Sequence, residues 1–332
     1  MTGDIKIIKQ RFHSIDLMKF LAVLLITNSH MAGLYPSSCQ MLATGGAIGD
    51  ALFFFCSGFL LMRSRGGDFF NWYKRRVNRI FPTIFAVAIF GIIFFGTDPT
   101  LKKVIVSAGG WFVQCIFVFY AVFWFVKNYA ENKIWIAFLL DSVLILGWYL
   151  FFWDKNLFIL ADSTYLRWPV FFLSMLLGAQ TASMGDRVNK GKISLLVDFL
   201  GLVLLIVLYY GYQLLEPRYL QLYNFQIVLT IILLAITFLF FRICSSPTIV
   251  RIYTNKHIYV PVYWMSSLCL EAYLCQTWIF PLGKQLIFLF PLNMIISFAL
   301  IFSLAYAIKV YSNFLSQTFR TENYDWKKMV KL

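Results

Sequence analysis

The chain is built of long apolar runs separated by short polar breaks, most of them basic. Ten of these runs approach the ~20 residues that a helix rising ~1.5 Å per residue needs to cross a hydrocarbon core of ~30 Å. They predict helices over Ile15–Leu34, Ala47–Met62, Ile80–Phe95, Trp111–Val126 and Ile134–Phe152. The other five are Leu166–Met184, Ile193–Leu215, Phe225–Phe241, Tyr263–Leu282 and Leu286–Val310.

The first run breaks its own pattern with Asp16, Lys19 and His30. At ~100° per residue, Lys19 and His30 lie within ~20° of one another around the helix, and Asp16 within ~40° of His30. Three ionisable groups therefore share one stripe of an otherwise apolar helix. A charge at mid-bilayer costs roughly 3 kcal/mol on insertion scales, so such groups face a bundle interior or a wet cavity. Asp16 and Lys19 alone read equally well as an ion pair at the membrane boundary. His30 on the same stripe favours a site.

Composition fixes the class. Of 332 residues, 60% are hydrophobic and only 13% charged, against about 25% charged in a soluble domain. The expectation is an all-α integral membrane protein, a single bundle of about ten transmembrane helices over residues 1–312 with a short cytoplasmic tail over 313–332. The net charge of +14 then needs no nucleic-acid partner. With the N-terminus inside, the 29 Lys and Arg divide 23 to 6 in favour of the cytoplasmic side, as the positive-inside rule requires. Both termini are expected in the cytoplasm. The first run is full length and charged, so it reads as a retained span and not as a cleaved signal. The six cysteines include no CxxC and mostly sit in apolar runs. They act as small hydrophobes, and neither a disulfide framework nor a metal site is expected.

Three polar constellations carry chemistry. His30 lies ~22 Å beyond Ile15 along the helix, in the outer third of the core, where a neutral imidazole can take a proton. Asp50 follows Gly45, Gly46 and Gly49 at the start of the returning helix, at a matching depth. It reads either as the group that orients His30 or as an interfacial carboxylate beside water. Lys74, Arg75, Arg76 and Arg79 place four cations within six residues at the mouth of the third span. They read as a membrane anchor or as an anion site, since Arg offers planar bidentate donors to phosphate. Arg75 and Arg79 are i,i+4 neighbours. A phosphate held there and a base ~20 Å away call for a long, thin donor. Coenzyme A, with a phosphorylated head, a pantetheine arm and a terminal thioester, has that shape. Glu271 is an intramembrane carboxylate whose candidate partners are Lys19 and Arg167. Tyr273 and Gln276, one turn apart, are candidates for an acceptor hydroxyl or for contacts between helices.

Taken in order, Ile15-Asp16-Leu17-Met18-Lys19-Phe20-Leu21-Ala22 ending at His30, Leu52-Phe53-Phe54-Phe55-Cys56-Ser57-Gly58-Phe59, Lys74-Arg75-Arg76 with Arg79-Ile80-Phe81-Pro82, Trp111-Phe112 followed by Tyr120, and Ser266-Ser267-Leu268-Cys269-Leu270-Glu271-Ala272-Tyr273-Leu274-Cys275-Gln276 resemble the membrane acyltransferase 3 family, the multi-pass bacterial O-acyltransferases of surface glycans. The resemblance implies the cytoplasmic (inner) membrane, an acyl-CoA donor, usually acetyl-CoA, and no permanently bound cofactor or metal. It also implies a lipid-linked sugar or polysaccharide acceptor, His30 as the essential residue and the Arg cluster on the CoA side. Two positions depart from the pattern. Lys19 stands where the family often has Arg, keeping the charge and losing the fork. Gln276 stands where it often has His, which leaves a hydrogen-bonding role but no proton carrier. A glycolipid or acyl-sugar transporter, or a sensory or assembly subunit, would use the same buried charges without acyl transfer.

Overall fold

The computed structural model describes residues 12–97, 100, 104, 110–154, 157–160, 164–185, 194–318 and 323–332. Lys6, Lys9, Arg11, Lys102, Lys103, Lys155, Arg187, Lys190, Lys192, Ile193 and Arg320, all used in reading spans and loop charge, lie outside them. Among the described residues there is no strand. The helices are α1 (His13–His30), α2 (Gly46–Met62), α3 (Phe69–Phe95), α4 (Gly110–Tyr129), α5 (Ile134–Phe151), α6 (Arg167–Met184) and α7 (Leu195–Leu215). They continue with α8 (Ile227–Cys244), α9 (Pro247–Tyr253), α10 (Lys256–Ser267), α11 (Cys269–Gln285), α12 (Leu292–Thr318) and α13 (Trp326–Met329).

Seven described helical segments, those containing α2, α3, α4, α5, α7, α8 and α12, are long and apolar enough to cross a membrane. Three of the expected spans, α1, α6 and α11, fall short of that length or apolarity. These three are not peripheral. On α6, Val170, Phe171, Leu173, Ser174, Met175, Leu176 and Ala179 are all 3% exposed or less. By contrast, only 17% of the apolar windows of α5 and α7 is buried, so these two helices face outward.

The centre is the crossing of α2 and α6. A Cβ added at Gly58 would strike the backbone of Met175, and one at Gly178 the backbone of Phe55. Small residues that let two backbones touch are the usual contact where lipid gives no hydrophobic drive between helices. Phe54, fully buried, fills the adjoining space with ring centroids 4.9, 5.1 and 5.6 Å from Phe112, Phe119 and Phe171.

Three boundaries differ from the hydropathy reading. The third helix starts at Phe69 rather than Ile80, because the Asp68 carboxylate caps it from outside the apolar run, accepting from the Asn71 backbone N–H at 3.0 Å. The basic cluster is therefore helical. The ninth run is not one helix, since α10 ends at Ser267 and α11 begins at Cys269. The Ser266 and Ser267 hydroxyls both donate to the Tyr263 carbonyl, at 3.0 and 2.7 Å, and such local bonds compete with the helix ladder. The tenth helix runs over Leu292–Thr318, shifted past Pro291 and reaching beyond residue 312. Part of the tail folds back on it. Asn313 Nδ2 donates to the carbonyls of Met329 (2.9 Å) and Lys331 (3.1 Å), and Tyr263 donates to that of Leu332 (2.8 Å).

Candidate active site

The connection between α1 and α2 sets the relative depth of their polar groups. Asn28 Nδ2 donates to the carbonyls of Leu42 (2.9 Å) and Thr44 (3.0 Å), and Asn28 Oδ1 accepts from Tyr35 (2.6 Å). Gly46 is thereby packed on Ser29, and Gly49 on Ala22 and Ile26. Asp50, one turn into α2, thus stands beside the last turns of α1, the depth expected from sequence.

His30 closes α1 with its Nδ1 2.9 Å from Nε2 of Gln276 on α11. The Tyr273 ring lies one α11 turn away, 6.2 Å between centroids. Gln276 is 2% exposed, and its Oε1 is buried with no hydrogen-bond partner. An amide presents nitrogen or oxygen to the same neighbour by a half-turn of its terminal torsion. With Nε2 facing it, Nδ1 accepts and the proton sits on the far ring nitrogen. With Oε1 facing it, Nδ1–H donates and the far nitrogen is the basic one. The orientation of the Gln276 amide thus selects the His30 tautomer without titrating.

Beside this pair, Arg167 opens α6 at 3% exposure, its guanidinium 3.8 Å from the Trp111 ring centroid. Asp50 and Arg167 both act electrostatically on the Cys115 thiol of α4, and Phe112 of α4 packs on Tyr273 at 5.4 Å. The His30 end of α1, the first turns of α2, α4 and α6 and the middle of α11 therefore border one region. The sequence marks Arg167 as an outer-side charge and a candidate partner of Glu271, not as a member of this site. The signal that marks it as more is an Arg at the start of an apolar run that also carries a buried Ser and Thr.

At the other end of α1 the basic groups gather. Lys19 is within electrostatic reach of Arg79 and Asp16, and of the thiols of Cys56 and Cys269. Tyr253 donates to Asp16 Oδ2 over a long 3.5 Å. The segment before α3 is held by Lys127, whose ammonium donates to the carbonyls of Leu61 (3.0 Å) and Met62 (2.7 Å) and to that of Ser64. These are the orphan carbonyls at the end of α2, where a cation also answers the helix dipole. Arg75 donates to the carbonyls of Arg65 (3.3 Å) and Gly66 (2.9 Å). Arg76 donates to the Ser64 hydroxyl at 2.7 Å, with its guanidinium 4.7 Å from the Trp72 ring centroid. Buried Trp72 Nε1 and Arg76 Nε have no partner. Lys74, Arg75 and Arg79 are exposed. Outside the spans, hydrogen bonds from Asn71 backbone and side chain hold the Asp68 carboxyl below its usual pKa range.

Between the two ends lies a small cavity, with room for about one water molecule, lined by Val23, Ile26 and Thr27 of α1, Phe53, Phe112, and Cys269, Leu270 and Tyr273 at the start of α11. Its α1 residues fall between Lys19 and His30, which eleven helical residues set ~16 Å apart.

Glu271 does not join Tyr273 and Gln276. It faces the opposite side of α11, 1% exposed, with Oε1 accepting from Lys309 Nζ and from the Thr83 hydroxyl, each at 3.0 Å. Its partner is thus neither Lys19 nor Arg167 but a residue of α12. Ser312 adds a hydroxyl contact to Thr83 at 3.1 Å, so the network ties α3, α11 and α12 together.

Among known proteins, the acyltransferase 3 family, described as an acyltransferase domain, matches residues 12–311. No curated protein and no solved structure matches the chain.

Proposed function

From the premise that this chain belongs to the acyltransferase 3 family and is a multi-pass membrane acyltransferase, we propose that it moves an acetyl group from cytoplasmic acetyl-CoA to a hydroxyl of a lipid-linked sugar or surface polysaccharide. In this reading it lies in the bacterial cytoplasmic membrane, with ten spans and both termini inside. The observation that carries the proposal is the cavity between the basic end and His30. It is small and mostly apolar, and its α1 lining falls between Lys19 and His30, along the line a donor arm would follow.

The nucleotide phosphates would lie on Arg75, Arg76, Arg79 and Lys74, with Lys19 as the inner cation facing the head of the arm. Asp16 balances that charge. Binding would replace the carbonyl contacts that Arg75 now makes with Arg65 and Gly66. At the far end, with the Gln276 amide turned so that Oε1 accepts from Nδ1–H of His30, the other ring nitrogen takes the proton of the acceptor hydroxyl. The acceptor oxygen bonds to the thioester carbonyl carbon, the C–S bond breaks, and the proton passes from His30 to the leaving thiolate. A positioned base of this kind is worth typically 10²–10⁴-fold in rate. Tyr273 is placed to contact the acceptor. Asp50, with Arg167 beside it, sets the charge around the imidazole.

The test is acetyl-CoA binding and turnover by purified protein in detergent, wild type beside His30→Ala and Arg75→Ala/Arg76→Ala. Saturable binding lost in the Arg double variant, and slow acetyl-CoA hydrolysis lost in His30→Ala, are expected. Absence of binding at millimolar acetyl-CoA, with succinyl-CoA equally inert, would overturn the proposal in favour of a transporter.

A further inference from the structure

Every hydroxyl buried inside a helix has an inexpensive partner at hand, the carbonyl one turn back. Thr181 and Thr237 use it, donating to Leu177 at 2.7 Å and to Leu233 at 2.8 Å. Thr27 does not. It is 0% exposed, and its Oγ1 has no hydrogen-bond partner. An unmet hydroxyl in an apolar surrounding is costly, and sites that keep one are worth explaining. The hydroxyls of Ser174, Thr230 and Ser297 are also unpartnered, but they do not line the cavity described above. Thr27 does line it.

Its place along α1 is also specific. Thr27 precedes His30 by three residues, so it shares the His30 face, ~4.5 Å nearer the basic end. Of the other lining side chains, Val23, Ile26, Phe53, Phe112 and Leu270 offer no donor, Cys269 Sγ donates to the Lys19 and Ser266 carbonyls, and the Tyr273 hydroxyl lies against Gly110. A donor arm entering from the basic end would meet the Thr27 hydroxyl just before its tip reached the imidazole. The chemistry of the tip is a carbonyl flanked by sulfur, an acceptor in need of a hydrogen bond.

We infer that Thr27 is the ligand of the thioester carbonyl, its Oγ1–H donating to the carbonyl oxygen in the bound donor and to the oxyanion that develops there. This rests on the acyl-CoA reading above. Thr27 keeps its own proton throughout. The acceptor oxygen–carbon bond forms and the carbon–sulfur bond breaks as before, with the acceptor proton carried by His30 to the thiolate. The hydroxyl stabilises the negative charge that builds on oxygen in between. A single donor to such an oxyanion is worth as much as 10²–10³ in kcat at well-formed sites, and a neutral hydrogen bond to the ground-state carbonyl about fivefold in affinity.

The experiment compares acetyl-CoA with S-ethyl-CoA, a thioether that keeps the nucleotide and arm but lacks the carbonyl. Wild type, Thr27→Val, Thr27→Ser and His30→Ala are purified in detergent, and Kd for both compounds and kcat and KM for acetyl-CoA turnover are measured. Wild type, Thr27→Ser and His30→Ala should each favour acetyl-CoA by about fivefold. Thr27→Val should bind the two compounds equally, with S-ethyl-CoA affinity as in wild type, which also reports that it is folded. Its kcat should fall by tenfold or more with KM changed by no more than about fivefold. A Thr27→Val protein that keeps the preference for acetyl-CoA and the wild-type kcat overturns the inference and leaves the acyl-CoA reading intact. A wild-type protein that binds neither compound overturns both.

Discussion

The buried Glu271–Lys309 pair makes a prediction that separates a structural role from a functional one. Glu271 is 1% exposed at its side chain and Lys309 26%, with 3.0 Å between them. In Lys309→Met the carboxylate keeps the Thr83 hydroxyl and loses its counter-charge. Breaking one side of a buried pair costs roughly 3–5 kcal/mol. The partial exposure of Lys309 puts this case near the lower end, at about 3 kcal/mol. Large domains lose on the order of 2 °C per kcal/mol, so the melting temperature should fall by about 6 °C. Replacing both members with apolar residues of similar size, Glu271→Leu/Lys309→Met, removes the stranded charge and should return to within about 1 kcal/mol of wild type. Tryptophan fluorescence on heating in detergent reads both values. A Lys309→Met protein that melts with wild type, or a double variant as unstable as the single one, refutes the reasoning. Donor hydrolysis and acceptor acylation measured on the double variant add the functional half. If hydrolysis survives and acylation alone is lost, Glu271 binds acceptor and is not just the stay of α11.

Four further substitutions, at three positions, probe the site and the scaffold. Gln276→Leu removes the hydrogen bond between Gln276 and Nδ1 of His30 and should lower kcat by about 10–10²-fold with donor Kd unchanged; Gln276→His should retain most activity, and equal kcat in Leu and wild type would remove the tautomer argument. Gly178→Ala drives a methyl into the Phe55 backbone and should cost at least about 3 kcal/mol, seen as lost monodisperse protein on size-exclusion chromatography. Gly147→Ala on α5, where a Cβ meets nothing within 4 Å, should be neutral or stabilising by up to about 1 kcal/mol.

Among the described residues, hydropathy located the seven segments long and apolar enough to cross a membrane, because each such run is close to the length a bilayer demands, and the stripe of α1 was readable because rotation per residue is fixed. What it could not place were the features decided by distant residues or by hydrogen bonds. The basic cluster from Lys74 to Arg79 has no apolar signal, yet it is helical because Asp68 caps it. Leu268 sits within a hydrophobic stretch and still marks a break, because Ser266 and Ser267 claim the Tyr263 carbonyl. The Glu271 partner is 38 residues away on another helix. Thr27, between Ile26 and Asn28, looks neutral on any scale, and only the absence of its usual backbone bond sets it apart.

The helices least suited to lipid, α1, α6 and α11, carry His30, Arg167 and Gln276, while the lipid-suited α5 and α7 carry no group of the candidate site. That division follows from cost. A polar side chain in hydrocarbon must be paired or buried in protein, so helices that bear the chemistry must be surrounded by others that do not. The small residues at the α2–α6 crossing and the Glu271–Lys309 stay then have one purpose in common. They bring helices of low apolarity close enough to supply one another with partners. The cavity, which leaves Thr27 without one, is the place where that supply stops short, and in the proposed reading a bound thioester supplies the missing partner.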